Sequence, residues 1–380
     1  MTRNGPAWLP VYAQMPLTAV SGHGSWLVDA EGHEWLDAYG GHAVAATGHC
    51  HPRVVEAIQR QAATLIFYST AVPLRQREEL ADRIAERCPG DLSRVFFCNS
   101  GAEANENALG LARKATGRQP IVSVGGGWHG RTAATLAVTD GAKYEAGATR
   151  AGVPLSRKVP FNDVAALSAA VDDSVAALIV EPVQGLTGAR DCSPEFLRAA
   201  RTACDRAGAA LIFDEIQCGV GRSGAFTAAE VYGVTPDILT LAKGLASGLP
   251  IGAMVATRAL TSGVKVGDLG STFGGGPVAC AAALATLEVI DREQLYANVK
   301  RVSARIREWA AGRAIPAQGL GLLLGLRMPR PAAEVQRGLF GRRVLTGTAS
   351  DPDILRLLPP LSFSLEEAEL LLGALATELQ

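Results

Sequence analysis

The sequence has little of what marks several classes of protein. Its formal net charge is only −1, so no basic surface for nucleic acid or an anionic membrane is expected. No apolar run is long enough to span a bilayer, and the first ten residues, MTRNGPAWLP, lack the pattern of a signal peptide. A hydrophobic content of 48% with 19% charged residues is typical of an ordinary globular enzyme. We therefore expect a cytoplasmic enzyme that binds neither nucleic acid nor membranes.

The seven cysteines include no Cys-x-x-Cys pair. Their odd number and scattered spacing favour reduced thiols over a disulfide framework. The adjacent residues His49, Cys50 and His51 could suggest a metal site, but neighbouring residues seldom converge on one ion. No second cluster of ligands accompanies them, so a turn before Pro52 is the better interpretation and no metal is expected.

Lysine is also scarce, with six lysines against 30 arginines. One of them, Lys243, ends the apolar run 238–242, and Asp214 ends the apolar run 209–213. Open α/β sheets place ligand chemistry at the carboxyl ends of buried parallel strands, and a desolvated lysine can attack a carbonyl. A Schiff-base lysine and a carboxylate on the pyridine nitrogen are what pyridoxal phosphate requires. A strand-end ion pair explains these two residues alone equally well.

Strand-like and helix-like segments alternate along the chain. Strands are predicted at 94–98, 121–124, 133–138, 176–180, 209–213 and 238–242, and helices at 53–66, 76–88, 102–116, 194–207, 277–291, 293–311 and 365–379. This alternation predicts an α/β fold whose mostly parallel sheet has helices on both faces. We expect an N-terminal segment at 1–50, a large domain at 51–290 and a smaller α+β domain at 291–380.

Two further motifs lie where a predicted strand ends. In FCNSGAE, Ser100 is a suitable helix N-cap and Gly101 permits close approach of the backbone, so the first helical amides could bind a phosphate. An ordinary helix cap explains that motif equally well. Trp128, in GGGWHGRT, could stack on a cofactor ring or lie in the core.

Two stretches, at 125–130 and 219–224, match the dinucleotide-binding pattern G-x-G-x-x-G. The first precedes the run 133–138, predicted as a strand where the motif needs a helix. The second is separated from its strand by residues 214–218. An NAD-dependent oxidoreductase therefore remains the alternative from another class of enzyme.

Several longer motifs occur in a fixed order. They are GGHAVAATGHCHP, FFCNSGAEANENAL, WHGRT, EPVQG, LIFDEIQCGVGRSG, LTLAKGLASGLPIGA, GSTFGG and ILRLLPPL. On these motifs the chain resembles the class III (ω-amino) aminotransferases, pyridoxal phosphate enzymes of fold type I, and within them the acetylornithine/N-succinylornithine aminotransferase branch. The resemblance implies a large domain with a mostly parallel mixed sheet, a smaller C-terminal α+β domain, and an N-terminal segment that packs with the small domain.

The resemblance also implies which residues bind the cofactor. Lys243 would hold pyridoxal phosphate and move the proton, and Asp214 would keep the pyridine nitrogen protonated. Other matching positions would hold the phosphate (Ser100, Gly101 and Ala102), cover the two ring faces (Trp128 and Ile216) and reach the ring hydroxyl (Gln217). Thr272 would cross to the phosphate of a partner subunit, which implies a homodimer with active sites at the subunit interface.

Arg131 and Arg356 match carboxylate-binding arginines of the family, although Arg356 could instead be a strand residue paired with a neighbouring acid. The reaction implied is transfer of the δ-amino group of an N-acylornithine, with N-acetyl-L-ornithine favoured, to 2-oxoglutarate. Its products are the semialdehyde and glutamate, in arginine biosynthesis. Alternative donors are N-succinylornithine, ornithine, 4-aminobutyrate and an acylated lysine precursor. A protein that keeps the cofactor fold without turnover is a further alternative.

The sequence departs from the family at two places. The family usually follows EPVQG with a glutamate that masks the C-terminal arginine, whereas this chain has Leu186, so Arg356 should lack that mask. Gly276 replaces an asparagine before Pro277, where glycine is also an acceptable N-cap, so little change is expected. Leu186, GGHAV at 40–44 and VLTG at 344–347 are similar to a subgroup associated with N-acylornithines.

Overall fold

The structure is a computed structural model that describes residue 9 and residues 11–380. Its strands in chain order are β1 (Ala19–His23), β2 (Trp26–Asp29), β3 (Glu34–Asp37), β4 (Leu92–Cys98), β5 (Ile121–Val124), β6 (Arg157–Val159), β7 (Ala177–Val180), β8 (Val183–Gln184), β9 (Arg190–Asp191), β10 (Ala210–Asp214), β11 (Ile238–Leu241), β12 (Gly252–Thr257), β13 (Ala317–Leu320), β14 (Leu323–Arg327), β15 (Val344–Leu345), β16 (Gly347–Thr348) and β17 (Ile354–Leu357).

The helical segments follow the same order. They are the four-residue turn α1 (Gly40–Ala43), α2 (Pro52–Thr64), α3 (Arg75–Ala85), α4 (Gly101–Thr116), α5 (Ala133–Val138), α6 (Ala142–Arg150), α7 (Val164–Ala170), α8 (Pro194–Ala207), α9 (Ala228–Tyr232), α10 (Arg258–Thr261), α11 (Pro277–Arg292), α12 (Leu295–Ala311), α13 (Ala332–Gly341) and α14 (Leu365–Glu378). A 3-10 turn at Lys243–Ala246 follows β11. None of the helices described for residues 9 and 11–380 combines the length and apolar character that a transmembrane segment needs.

A seven-stranded sheet with the order β4-β12-β11-β10-β7-β5-β6 forms the centre of the fold. Its strands are parallel from β11 to β6, whereas β12 runs antiparallel to both β11 and β4. The central strands β5, β7, β10 and β11 are buried along their whole length, as expected of a parallel sheet covered on both faces. The prediction of a mostly parallel sheet is therefore confirmed.

Alternate side chains of the central strands pack into two different hydrophobic clusters. On β10, Leu211 and Phe213 belong to a cluster that contains Phe196 of α8. The intervening Ile212 belongs to a cluster that contains Leu109 of α4. This alternation gives the sheet an apolar layer on each face and leaves the carboxyl ends of its parallel strands together at one edge.

The C-terminal part of the chain has a sheet of its own. Its strand order is β13-β14-β17-β16, with all neighbours antiparallel. Strand β15 leaves this region and pairs in parallel with β3, which extends the N-terminal strands β1, β2 and β3 into a four-stranded sheet.

One predicted element is wrong. The run 133–138 is the helix α5, not a strand. The carboxylate of Glu106, on α4, accepts hydrogen bonds from the amides of Ala134 and Thr135, and the Thr135 hydroxyl accepts one from the amide of Thr132. These contacts provide acceptors for backbone amides at the start of the helix, which have no partner within the helix. A helix of six residues, and not the predicted strand, therefore follows the glycine motif at 125–130.

Candidate active site

A cavity of about 700 Å³ lies at the carboxyl edge of the central sheet. Its wall includes residues that follow four parallel strands, namely Trp128 after β5, Glu181 after β7, Ile216 and Gln217 after β10, and Lys243 after β11. The wall is completed by Ser100, Gly101 and Ala102 at the start of α4, by Arg131, and by Arg356 of β17. The residues that the sequence singled out at strand ends are thus brought together.

Asp214, the last residue of β10, is buried beneath this wall and does not itself line the cavity. Its Oδ2 lies 2.7 Å from both His129 Nδ1 and Asn105 Nδ2, and its Oδ1 accepts from the Ile216 amide at 3.1 Å. The Asn105 amide oxygen in turn accepts from the Thr240 hydroxyl at 2.8 Å. These contacts fix the orientation of the Asp214 carboxylate.

Lys243 begins the 3-10 turn after β11 and lines the cavity. Its φ of 41° lies in the left-handed region, which is uncommon for a residue other than glycine and tends to occur at functional sites. Burial lowers the pKa of Lys243 below its usual value, against the opposing attraction of Asp214 and Glu181. A lowered pKa increases the fraction of neutral amine, which is the nucleophilic form.

The start of α4 has the structure of an anion-binding helix terminus. Ser100 is the N-cap, and its Oγ accepts from the Glu103 amide at 3.2 Å. The first-turn amides of Gly101 and Ala102 remain available to a ligand, as at any helix N-terminus. A Cβ at position 101 would lie 2.7 Å from Cδ1 of Ile216, so glycine is required for this close packing.

Trp128 forms one side of the cavity. Tyr144 packs edge-on against it, with ring centroids 4.8 Å apart, and the guanidinium carbon of Arg131 lies 5.2 Å from its ring centroid. Arg131 is exposed apart from this contact. The Trp128 amide donates to Glu181 Oε1 at 2.7 Å, which fixes the backbone on which the indole is carried.

Glu181 was missed by the sequence reasoning. It follows β7, is buried, and also accepts from the Gly185 amide at 3.2 Å. Burial, with a further contribution from the charge of Asp214, raises the pKa of Glu181. The signal was present in the sequence, because Glu181 ends an apolar run just as Asp214 and Lys243 do.

Arg356 is buried on β17 and donates only to neutral groups. Its acceptors are the Thr348 carbonyl at 2.6 Å from Nε, the Gly185 carbonyl at 3.0 Å from Nη1 and the Tyr39 hydroxyl at 2.7 Å from Nη2. Burial lowers its pKa, against the opposing contribution of Tyr39. No acid pairs with Arg356 in the part of the chain that the structure describes, and Leu186 lines the same cavity. Among the described residues the guanidinium therefore has no carboxylate partner, but three neutral groups accept hydrogen bonds from it.

Two predicted residues differ from the others in their surroundings. Gln217 lines the cavity, and its buried Oε1 has no hydrogen-bonding partner among the described residues. Thr272 is exposed and does not contribute to the cavity of its own chain.

The site fits pyridoxal phosphate. The helix terminus offers amides to a phosphate. Because Gly101 has no Cβ, this terminus can pack closely against Ile216. The unpartnered Gln217 Oε1 offers a polar contact, and Lys243 offers an amine to an aldehyde. No group of three or more His, Cys, Asp or Glu side chains that could hold a metal occurs in residue 9 or residues 11–380.

Comparisons with known proteins agree with this geometry. The sequence profile of the family described as "Aminotransferase class-III" matches residues 10–379. The chain is 41% identical over 381 residues to the acetylornithine aminotransferase of Methanocaldococcus jannaschii, covering 97% of this chain and 94% of that protein. It is 43% identical over 373 residues to the acetylornithine aminotransferase of Streptomyces coelicolor, covering 96% and 91%.

A solved structure gives the same result. The ornithine aminotransferase of Toxoplasma gondii ME49 superposes with a TM-score of 0.91 at 31% sequence identity, covering 98% of this chain and 92% of that chain. The predicted fold is confirmed, and the nicotinamide-dependent and non-catalytic alternatives are excluded. The chain belongs to the class-III aminotransferases and is a pyridoxal phosphate-dependent transaminase.

Proposed function

We propose that this transaminase moves the δ-amino group of an N-acylornithine, with N-acetyl-L-ornithine preferred, to 2-oxoglutarate. The products are the semialdehyde and glutamate, in a step of arginine biosynthesis. The relatives from M. jannaschii and S. coelicolor support this donor, since both are named acetylornithine aminotransferases. The observation that carries the proposal is that Arg131 and Arg356 line one cavity with Lys243.

The two arginines suit the two amine donors. In an N-acylornithine the carboxylate lies far from the carbon that carries the reacting amine, whereas glutamate has one carboxylate beside that carbon and another beyond it. One cavity that serves both needs carboxylate anchors at two positions. Arg131 at the exposed side and Arg356 at the buried side would supply them, because guanidinium pairs bidentately with carboxylate.

Lys243 and Asp214 would perform the two central tasks. When bound, pyridoxal phosphate supplies an electron sink for bond breaking at the carbon that carries the amine. The Nζ of Lys243 would hold the cofactor and then carry the proton removed from that carbon. Asp214, fixed by His129 and Asn105, would hold a proton on the pyridine nitrogen.

The other predicted residues would orient the cofactor. Their proposed roles are to hold the phosphate (Ser100, Gly101 and Ala102), to cover the ring faces (Trp128 and Ile216) and to contact the ring hydroxyl (Gln217). The packing of Gly101 on Ile216 and the unpartnered Oε1 of Gln217 support these assignments.

We also propose a homodimer in which Thr272 reaches the phosphate site of the partner subunit. The exposed position of Thr272 outside its own cavity supports this, as does the 63% exposure of its neighbour Phe273.

A cytoplasmic location is supported by the seven free cysteines. We also propose a division into an N-terminal segment at 1–50, a large domain at 51–290 and a small domain at 291–380. The pairing of β15 with β3 supports contact between the N-terminal segment and the small domain.

Single-turnover mixing tests the reaction type. The enzyme loaded with pyridoxal phosphate is mixed with glutamate alone, and the visible absorption band of the bound cofactor is followed. The band should disappear with release of one equivalent of 2-oxoglutarate, and N-acetylornithine should have the same effect with release of its semialdehyde. A band that persists with both donors would contradict the proposed function.

A further inference from the structure

The three stretches that are similar to the N-acylornithine subgroup meet around Arg356. Gly347, from VLTG, lies directly opposite Arg356 in the pairing of β16 with β17. The carbonyl of Leu186 accepts from the Ser350 amide at 3.0 Å, which ties the segment after EPVQG to the loop after β16. The third stretch, GGHAV, follows Tyr39, whose hydroxyl contacts Arg356. These three stretches, which are far apart in the sequence, therefore share one location.

The hydrogen bonds of Arg356 determine which of its donors a carboxylate can reach. A guanidinium has five N–H donors, and three of those of Arg356 are used by neutral acceptors. Because the Thr348 carbonyl takes the Nε donor, a bidentate carboxylate would have to bind through Nη1 and Nη2, and Nη2 is the nitrogen that donates to the Tyr39 hydroxyl. Two of the neutral acceptors are main-chain carbonyls fixed by the fold, and only the Tyr39 hydroxyl belongs to a side chain that can move away.

The surroundings of Tyr39 hold its hydroxyl toward Arg356. Tyr39 Oη lies 2.9 Å from His42 Nδ1, and the two rings pack edge-on with centroids 4.8 Å apart. Because Arg356 can only donate, Tyr39 accepts from it, and the phenol proton can go to Nδ1 when His42 is neutral with its own proton on Nε2. Burial, together with the charges of Arg356 and Lys243, lowers the pKa of His42, which favours this neutral form. A Cβ at Gly347 would overlap the Tyr39 ring.

The turn α1 places His42 at the cavity at a conformational cost. All four of its residues, Gly40, Gly41, His42 and Ala43, have φ between 56° and 66°. Left-handed angles are unfavourable for residues other than glycine. The turn is held in place by Asp37, whose Oδ1 accepts from the amides of Tyr39 and Gly40 at 2.9 and 2.8 Å. Strain that is maintained by its surroundings is typical of functional positions.

We propose that Tyr39 is the displaceable neutral partner of Arg356 and selects between the two amine donors. It stays on Arg356 while the N-acylornithine occupies the cavity, and it withdraws when the carboxylate beside the reacting carbon of glutamate arrives. His42 is a positioning residue that orients the Tyr39 hydroxyl. This inference rests on the proposed function, in which Arg356 binds that carboxylate.

Because Tyr39 is neutral, the carboxylate of glutamate can displace it from Arg356 at a small cost. A hydrogen bond from a charged group to a phenol is weaker than a close pair of opposite charges, so glutamate displaces Tyr39 at a smaller cost than it would displace a glutamate side chain. This explains how Leu186 can occupy the place of the family's acidic residue without leaving Arg356 unpartnered when an ω-amine donor binds.

The test uses ligands that bind but cannot react. Glutarate has both carboxylates of glutamate and no amine, and N-acetylnorvaline is N-acetylornithine without its reacting amine. Their dissociation constants are measured by calorimetry on the enzyme loaded with pyridoxal phosphate, for wild type and Tyr39→Phe. Removing the hydroxyl removes the competitor, so glutarate should bind about tenfold tighter. The affinity for N-acetylnorvaline should stay within about twofold, since Tyr39 stays on Arg356 in that complex and its loss affects the free and bound enzyme alike.

Two other variants keep the test decisive. Gly347→Ala keeps the hydroxyl but pushes the Tyr39 ring aside, so it should also tighten glutarate binding, and the two substitutions together should not add. Tyr296→Phe removes a tyrosine hydroxyl that does not line the cavity and should change neither ligand's affinity.

Several outcomes would overturn the inference. Weaker glutarate binding by Tyr39→Phe would make Tyr39 a permanent carboxylate ligand. Unchanged binding, or equal changes for both ligands, would leave Tyr39 only a packing role. None of these measurements needs turnover. Failure of the proposed function shows separately, as an absence of amine transfer in the wild type.

Discussion

His129 Nδ1 lies 2.7 Å from Asp214 Oδ2, and neither side chain is exposed to solvent. Because a carboxylate can only accept, the proton of the imidazole must be on Nδ1. Asn105 donates to the same oxygen, so the carboxylate is fixed by two side chains and by the Ile216 amide. This arrangement explains how an aspartate beneath the cavity wall can present a fixed negative charge to a ligand.

Asp214→Asn should lower kcat/KM for transamination by about 10²–10³, because it removes a preorganised charge and keeps the shape of the side chain. Asp237→Asn is the matched control. Asp237 also accepts from the sheet, at 2.7 Å from the Leu211 amide, but its partners Leu211 and Arg201 do not line the cavity, whereas His129 and Ile216, which contact Asp214, do. Steady-state kinetics of both variants decide the point, and a loss of less than tenfold for Asp214→Asn would show that its charge is dispensable.

Lys243→Met should abolish turnover, since no other amine lines the cavity among the described residues. Lys300→Met, on α12, serves as the control and should retain activity. Both variants are assayed for amine transfer after loading with pyridoxal phosphate. Activity in Lys243→Met above a small residual would refute the assignment of the catalytic centre.

The same variant tests the lowered pKa of Lys243. Below that pKa the cofactor-free native state bears a buried charge. As pH rises toward the ordinary value of 10.5 the unfolded chain keeps the proton longer, so the stability of the wild type increases. Lys243→Met should therefore be more stable than the wild type near neutral pH, with an advantage that shrinks toward pH 10.5. Chemical denaturation across that range measures this, and an advantage independent of pH would indicate packing rather than charge.

The sequence predicted that Asp214 and Lys243 end neighbouring strands because its signals are local. Asp214 and Lys243 each end an apolar run, and the pairing of β10 with β11 brings those ends together. The helical form of the run 133–138 was not predictable in this way, because it depends on the Glu106 carboxylate, 28 residues before Ala134. The contact of Arg356 with Tyr39 joins residues 317 apart, and no local pattern encodes it.

Gly101→Ala should weaken binding of pyridoxal phosphate. The new Cβ would meet Ile216 Cδ1 at 2.7 Å and force that side chain toward the cofactor. Gly110→Ala, on the same helix, has no atom within 4 Å of the added methyl and should stabilise the protein by roughly 0.5–1 kcal/mol. Equilibrium titration of the cofactor and thermal denaturation separate the two effects. Equal affinity of both variants for pyridoxal phosphate would contradict the proposed role of Gly101 at the phosphate site.

Leu186→Glu should weaken the half-reaction with glutamate more than that with N-acetylornithine. A carboxylate there could pair with the Arg356 guanidinium in place of the Tyr39 hydroxyl, and a close charge pair excluded from water changes preference by about one to two powers of ten. Leu186→Gln introduces a side chain of the same shape as glutamate but without its charge, and it should have little effect. Single-turnover kinetics of both donors provide the measurement, and equal losses would mean that residue 186 does not control access to Arg356.

The most direct test of the proposed function is the donor panel. It measures kcat/KM with 2-oxoglutarate for N-acetylornithine, N-succinylornithine, ornithine, 4-aminobutyrate and an acylated lysine precursor. The cavity lined by Lys243, Arg131 and Arg356 predicts an N-acylornithine as the best donor, and the acetylornithine aminotransferases among the relatives favour N-acetylornithine. A best donor other than an N-acylornithine, such as ornithine or 4-aminobutyrate, would contradict the proposed function.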